Sequence, residues 1–328
     1  MHPAVRIWFT GRKNAVILTP KMAADSHYCE FIEDPEQFLT SLKSLHGRKV
    51  AVTQGKIAPR LEDCEARDAE WNHMDQLHRP HVHKTYLNSL RLARGHAFAL
   101  SFTMFKAAGI PFLVLVSDVR VREGLYYQVF TFFNILHVHI FIEMAPQGGQ
   151  STTTVQWYIV SHPIFKLMHG FISRRYRRLA TVQGEQDRPI LTRRTELRKK
   201  GYRFHSDKPD FVTSNTLTSG VCFPKLEGRH RISLKGLAPS TLNKVSAGPV
   251  DFLVLSNPSE GGIKIWPAAC PHEGGPLALG KVCNGQIECP WHGLKFACAK
   301  LSPAHSTAEL GNHHFQLESD ELIIEEKS

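Results

Sequence analysis

The sequence predicts an α+β chain of two domains, and three observations predict it. Residues 97–160 fall into blocks rich in β-branched and aromatic residues, the composition of strands. Residues 163–201 then turn to a helical pattern that is strongly basic and ends at Gly201. From about residue 229 short strands and turns lead into two Cys/His pairs, as in a small all-β module. With 328 residues, of which 42% are hydrophobic, the chain can bury two cores. The expected boundaries are 1–215 for the first domain, 216–228 for a linker and 229–328 for the second. The linker continues a Ser/Thr/Gly-rich run that follows Ser206–Asp210.

The elements follow in order. Residues 1–70 carry the weakest pattern, with one helix expected behind the Asp34 cap over 34–45. Residues 71–95 read as a helix broken or kinked at Pro80. Strands are expected at Val114–Val121 and within Tyr126–Ile142. A turn at Pro146–Gln150 then leads to a strand at Thr152–Val160. The last strand is expected at Glu321–Glu325.

Composition narrows the class. The formal net charge is +10. Much of it sits in Arg174, Arg175, Arg177 and Arg178, and in Arg193, Arg194, Arg198, Lys199 and Lys200. These runs read first as a solvated helix face and second as a docking surface for an acidic electron-donor protein. No nucleic-acid motif accompanies them, so no nucleic acid is expected. The apolar stretches 97–118 and 125–144 are interrupted by Lys106, Pro111, Gln128, Asn134, His137 and His139, so no membrane-spanning segment is expected. Of the seven cysteines, Cys270 and Cys289 belong to the Cys/His pairs; the other five (Cys29, Cys64, Cys222, Cys283 and Cys298) show no disulfide-like spacing and no cleavable signal peptide is visible, which fits the cytoplasm.

Two motifs carry chemistry. The first is Cys270-Pro-His272 and Cys289-Pro-Trp-His292, with 273–288 between them. Each pair can offer a thiolate and an imidazole from one tight loop, and Gly274, Gly275 and Gly293 let backbone approach closely. An Asn284-Gly285 hairpin turn divides the intervening stretch. Structural zinc sites use Cys-x2–4-Cys or His-x3–5-His halves, and neither half here does. Two Cys and two His in this order are what a Rieske [2Fe–2S] cluster needs. The second motif is Asn72-x2-Asp75-x2-His78-x4-His83. On a helix Asp75 and His78 share a face, and a Pro80 kink can return His83 toward His78. Two His with one carboxylate are the ligand set of a non-haem Fe(II) site. His73 and His81 fall off this spacing and read as bystanders.

On these two blocks the chain resembles the Rieske non-haem iron oxygenases, the aromatic-ring-hydroxylating type. A third, weaker block, Glu185-Gln-Asp-Arg-Pro-Ile190, resembles the segment holding that family's late carboxylate ligand. The resemblance implies that His78, His83 and Asp187 bind the iron. It implies that Asp75 bridges an iron-ligand His to a cluster-ligand His of a neighbouring subunit in a ring-shaped homotrimer. It also implies a helix-grip, START-like catalytic domain with an antiparallel sheet. Family members usually place the Rieske domain first; here the iron motif precedes the cluster, an inverted order.

The function expected is an oxygenase. A separate reductase or ferredoxin would bring electrons from NAD(P)H to the cluster. The Fe(II) site would use O2 to hydroxylate, demethylate or desaturate a hydrophobic small molecule. Phe102, Phe105, Phe130, Phe132, Phe133, Ile135 and Trp157 are the expected pocket residues. The rival reading is a Rieske ferredoxin-like electron carrier fused to a hydrophobic-ligand-binding domain.

Overall fold

The computed structural model describes residues 37, 40, 50–107, 109–132, 135–213, 220–257 and 262–327. The helix expected over 34–45 lies outside them, except for Gln37 and Thr40, which are helical. The chain divides into two compact units. The first runs to Leu191 and regains Val212 and Thr213; the second takes Thr192–Phe211 and the chain from Gly220 on.

The first unit is a large antiparallel sheet gripping one long helix. Its strands are β1 (Ala51–Glu62), β2 (Tyr86–Gly95), β3 (Phe98–Ala107), β4 (Ile110–Arg122), β5 (Leu125–Phe132), β6 (Leu136–Gln147) and β7 (Gln150–Ser161). β2 to β7 form a meander, each strand pairing antiparallel with the next, and β1 adds to the outer edge of β7. Between β1 and β2 come α1 (Ala66–Met74), a 3-10 turn at Gln76–His78 and the single turn α2 (Arg79–Val82). The long helix α3 (His169–Lys199) follows β7. Then come β8 (Arg203–Phe204), in the second unit, and β9 (Val212–Thr213), which pairs with β2.

Strand alternation decides what faces the helix. Val138, Ile140, Ile142 and Met144 of β6 join Val155, Trp157 and Ile159 of β7 in one core, against Ile172, Tyr176 and Leu191 of α3. Tyr127, Val129, Phe141, Tyr158 and Val160 point to the other face and form a second cluster. Two expectations need correction. The helix expected over 71–95 ends early, and 86–95 is β2. Its leucines Leu87, Leu90 and Leu92 are exposed while Arg91 and Arg94 are buried, so its apolar pattern is inverted. Pro80 stands in the first turn of α2, where its missing N–H costs nothing, and it starts a helix there. The basic run of α3 is a solvated face at Arg174, Arg175, Arg177 and Arg178. It is not one at Arg194, which is fully buried.

The second unit is built of small antiparallel sheets. β10 (Val221–Cys222) pairs with β8. β11 (His230–Ser233) joins β19 (Thr307–Leu310), β20 (His313–Glu318) and β21 (Glu321–Glu326). β12 (Leu242–Ala247), β13 (Val250–Asn257) and β14 (Gly262–Pro267) join β18 (Ala299–Leu301). Val250, Phe252, Val254, Ile265, Phe315 and Ile324 fill the core between them. β15 (Lys281–Cys283), β16 (Gln286–Glu288) and β17 (Lys295–Ala297) form a three-stranded sheet. Asn284 (φ 51°) and Gly285 (φ 74°) make the tight turn between β15 and β16, both with the positive φ that such a turn requires.

Candidate metal centres

The two Cys/His loops of the second unit close in the same way. The Cys270 carbonyl accepts from Gly274 N–H (2.8 Å), and Cys270 N–H donates to Gly275 (2.8 Å). The Cys289 carbonyl accepts from Gly293 N–H (2.9 Å), and Cys289 N–H donates to Leu294 (2.7 Å). Cys270, His272, Cys289 and His292 are all buried. His272 Nδ1 and His292 Nδ1 stand 3.2 Å apart. That separation suits two nitrogens each about 2.0–2.1 Å from one ion. Hydrogen bonding to Cys270 holds the Cys289 thiol down, while burial pushes Cys270 up. A Cβ on Gly275 would meet Cys289 Sγ at 2.7 Å, so the loop needs glycine there to pass the sulfur. Glu273, between these residues, is fully buried and accepts from Arg194 Nη1 (2.7 Å) and Ser206 Oγ (3.1 Å). The donor set and the glycine-lined cradle fit a Rieske cluster.

The first unit brings together His78, His83 and Asp187, whose ligating atoms all lie within 4.8 Å of one another. His78 ends the 3-10 turn, His83 follows α2, and Asp187 comes from α3, 104 residues beyond His83. Both imidazoles turn Nε2 to the carboxylate: His78 Nε2 is 3.4 Å and His83 Nε2 3.2 Å from Asp187 Oδ1. His78 Nε2 and Asp187 Oδ1 are buried and have no hydrogen-bond partner. Orphaned donor atoms of this kind suit a shared cation. Burial alone would push the Asp187 carboxyl up, yet the two histidines hold it well below the usual carboxylate range. Burial opposes charge on His78, but Asp187 and Asp75 push it up to about 9.

Gln186 is a site residue that sequence reasoning missed. Its Oε1 lies 2.9 Å from His83 Nδ1. Accepting the Nδ1 proton leaves the Nε2 lone pair facing Asp187. Asp75 is fully buried. Its Oδ1 accepts from Arg91 (2.8 Å) and Arg94 (3.3 Å), and its Oδ2 stands 3.7 Å from His78 Nδ1.

The triad lies on the wall of a cavity of about 650 Å³ between sheet and helix. Phe105, Phe130, Phe132 and Ile135 line it as expected, and Phe133 lies outside the described residues. Phe102 and Trp157 do not line it. Phe102 is three residues before Phe105, on the opposite face of β3, and is exposed. Trp157 is capped by α3: its Nε1 donates to Ser173 (3.0 Å) and its ring lies 5.0 Å from Tyr176. His73, read as a bystander, lines the cavity. Burial lowers it to about 4, so it is neutral at physiological pH.

Known proteins match parts of the chain. Residues 233–310 match the Rieske [2Fe-2S] domain family. A stretch of 36 residues is 53% identical to chlorophyllide a oxygenase, chloroplastic, of Chlamydomonas reinhardtii; it takes in 10% of this chain and 6% of that protein's length. Three solved structures resemble the fold. TTHA0849 from Thermus thermophilus is 14% identical over 42% of this chain and 97% of its own (TM-score 0.36). A START superfamily protein from Mycobacterium smegmatis is 12% identical over 41% and 97% (0.32). The Zhui aromatase/cyclase from Streptomyces sp. R1128 is 10% identical over 46% and 96% (0.34). Among the described residues no helix is long and apolar enough to cross a membrane. The chain thus joins an α+β unit with a His/His/Asp cluster to a Rieske [2Fe–2S] domain over residues 233–310.

Proposed function

We propose that the chain is a Rieske non-haem iron oxygenase acting on a hydrophobic small molecule. The observation that carries the reading is the His78/His83/Asp187 cluster, with His78 Nε2 and Asp187 Oδ1 left unmet, on the wall of an apolar cavity in a chain that also holds a Rieske domain. Cys270, His272, Cys289 and His292 would hold the [2Fe–2S] cluster; His78, His83 and Asp187 would hold Fe(II). The cluster would supply single-electron transfer, fed from NAD(P)H through a reductase or ferredoxin, and Fe(II) would supply O2 activation for hydroxylation, demethylation or desaturation of the substrate.

The chain's own residues supply the rest. Gln186 keeps His83 in the tautomer that presents Nε2. Arg91 and Arg94 fix the Asp75 carboxylate, and Asp75 turns its other oxygen to His78 Nδ1. In this reading Asp75 belongs to the electron path, as a bridge to a cluster-ligand histidine. The cavity's apolar walls exclude water from the substrate. Cytoplasmic location and a homotrimer are part of the same proposal; light scattering should then give about three times the 37.0 kDa chain mass.

The test is a pair of variants assayed with reductase, O2 and a panel of hydrophobic substrates. His83→Ala should abolish turnover and leave the cluster spectrum unchanged. Asp75→Ala should keep both metals and lose coupled turnover. Loss of the cluster spectrum in the first would refute the ligand assignment, and normal coupling in the second would refute the bridge. Wild-type protein that cycles electrons without consuming O2 at the second site would favour the electron-carrier reading.

A further inference from the structure

Arg79 follows the candidate ligand His78 directly and lines the cavity. It is 6% exposed, and its Nη1 is buried without a hydrogen-bond partner. Its Nη2 forms an ion pair with buried Asp118 Oδ2 at 3.7 Å, too long for a hydrogen bond, so Nη1 is left unmet. Asp118 is already engaged: Gln76 donates to Oδ2 and Gln128 to Oδ1. The guanidinium also rests against aromatic rings, with its central carbon 5.9 Å from the Tyr86 centroid and 6.0 Å from that of Phe130. Aside from the three candidate ligands, the unmet buried polar atoms on the cavity wall, among the described residues, are three donors and one acceptor. The donors are Arg60 Nε, Arg79 Nη1 and Gln183 Nε2, and the acceptor is Asn72 Oδ1.

A buried cation with an unmet N–H, facing hydrocarbon, is matched best by an anionic oxygen. Guanidinium geometry suits a carboxylate in particular. Tyr86 locates this anchor: its ring lies 5.8 Å from His83 and also carries the Arg79 contact. The anchor therefore lies at the metal end of the cavity, and the phenylalanine wall is left for an apolar body.

We propose that the cavity takes an apolar carboxylic acid, with its carboxylate bound by Arg79 and its hydrocarbon body against Phe105, Phe130 and Phe132. The word substrate for this ligand rests on the oxygenase reading; the binding preference does not.

The experiment measures binding of 4-(1-pyrenyl)butanoic acid and of its methyl ester to the purified full chain, without reductant, by energy transfer from tryptophan to pyrene. Wild type should bind the acid about tenfold tighter than the ester, one charge-assisted hydrogen bond's worth of affinity. Arg79→Gln should weaken the acid about tenfold and leave the ester unchanged, and Arg79→Lys should keep part of the preference. Chelating the mononuclear metal should leave the wild-type preference intact, because the anchor is Arg79 and not the ion. Equal affinity for acid and ester in wild type overturns the proposal, and so does binding of neither; these outcomes need no variant to fold. A preference that survives in Arg79→Gln, or that disappears with the metal, overturns it as well. A protein that prefers the acid but never consumes O2 would refute the oxygenase reading and leave this one standing.

Discussion

Gln186 shows how much a site depends on residues that never touch the reacting atoms. Its amide oxygen holds the Nδ1 proton of His83, so the ring can offer only Nε2 to a cation. Gln186→Leu should therefore weaken the candidate metal site by about 10–100-fold, read by competition with a chelator of known affinity. Unchanged affinity would mean the tautomer is set elsewhere. A second residue-level prediction concerns thiols. Burial pushes Cys64 up to about 11, whereas Cys222 and Cys283 are exposed. Alkylation of the native protein at pH 8, mapped by mass spectrometry, should label Cys222 and Cys283 and spare Cys64. The cluster pairs could be read from sequence because each lies within one short loop, where spacing alone limits geometry. Asp187 came from a resemblance. Gln186 gave no signal, because its partner is 103 residues away and a glutamine on a helix looks like surface.

The end of α3 is held by partners far away in sequence. Arg194 is fully buried, donates to Glu273 (2.7 Å) and lies 3.6 Å from the centroid of the Phe204 ring. Arg198 makes a two-pronged pair with Asp207 (2.6 and 2.8 Å). These contacts tie the first Cys/His loop to the helix end. Removing one partner strands the other charge in the interior, which typically costs about 3–5 kcal/mol. Arg194→Met should lower unfolding free energy by about that much and bleach the cluster at lower denaturant; a change within about 0.5 kcal/mol would show that Glu273 is held without it. Sequence could not show this, since Arg193, Arg194 and Arg198 read as one basic face. β2 failed for a related reason. Its inward residues are the arginines that hold Asp75 and its leucines face outward, so hydrophobic alternation pointed the wrong way. β1 lacked a clear pattern too, and what fixes it is long-range pairing with β7.

For the whole molecule, the order of strand-rich and helical blocks was legible, because composition changes sharply at about residues 160 and 229. The packing of α3 on the sheet, and hence the cavity, was not, because it depends on which face of each strand meets the helix. Acid stability depends on carboxylates held charged in the fold. Burial would push Asp251 up, but hydrogen bonds from Lys200, Ser246 and Lys244 hold it down at about 2, against 3.8 when unperturbed. A depressed carboxylate stabilises fully above its unfolded value and loses that contribution as pH falls through its folded value. The window is therefore about pH 4 down to pH 2, worth roughly 1–2 kcal/mol after allowing for the half-exposed lysines. Denaturation followed against pH should show this loss in wild type, and Asp251→Asn should lack it. Counting metal shows whether one chain holds two metal centres. Iron and acid-labile sulfide should be measured per chain in anaerobically purified, Fe(II)-replete protein. About three irons to two sulfides are expected, falling to about two and two in His83→Ala. Two irons to two sulfides in the wild type would contradict two centres.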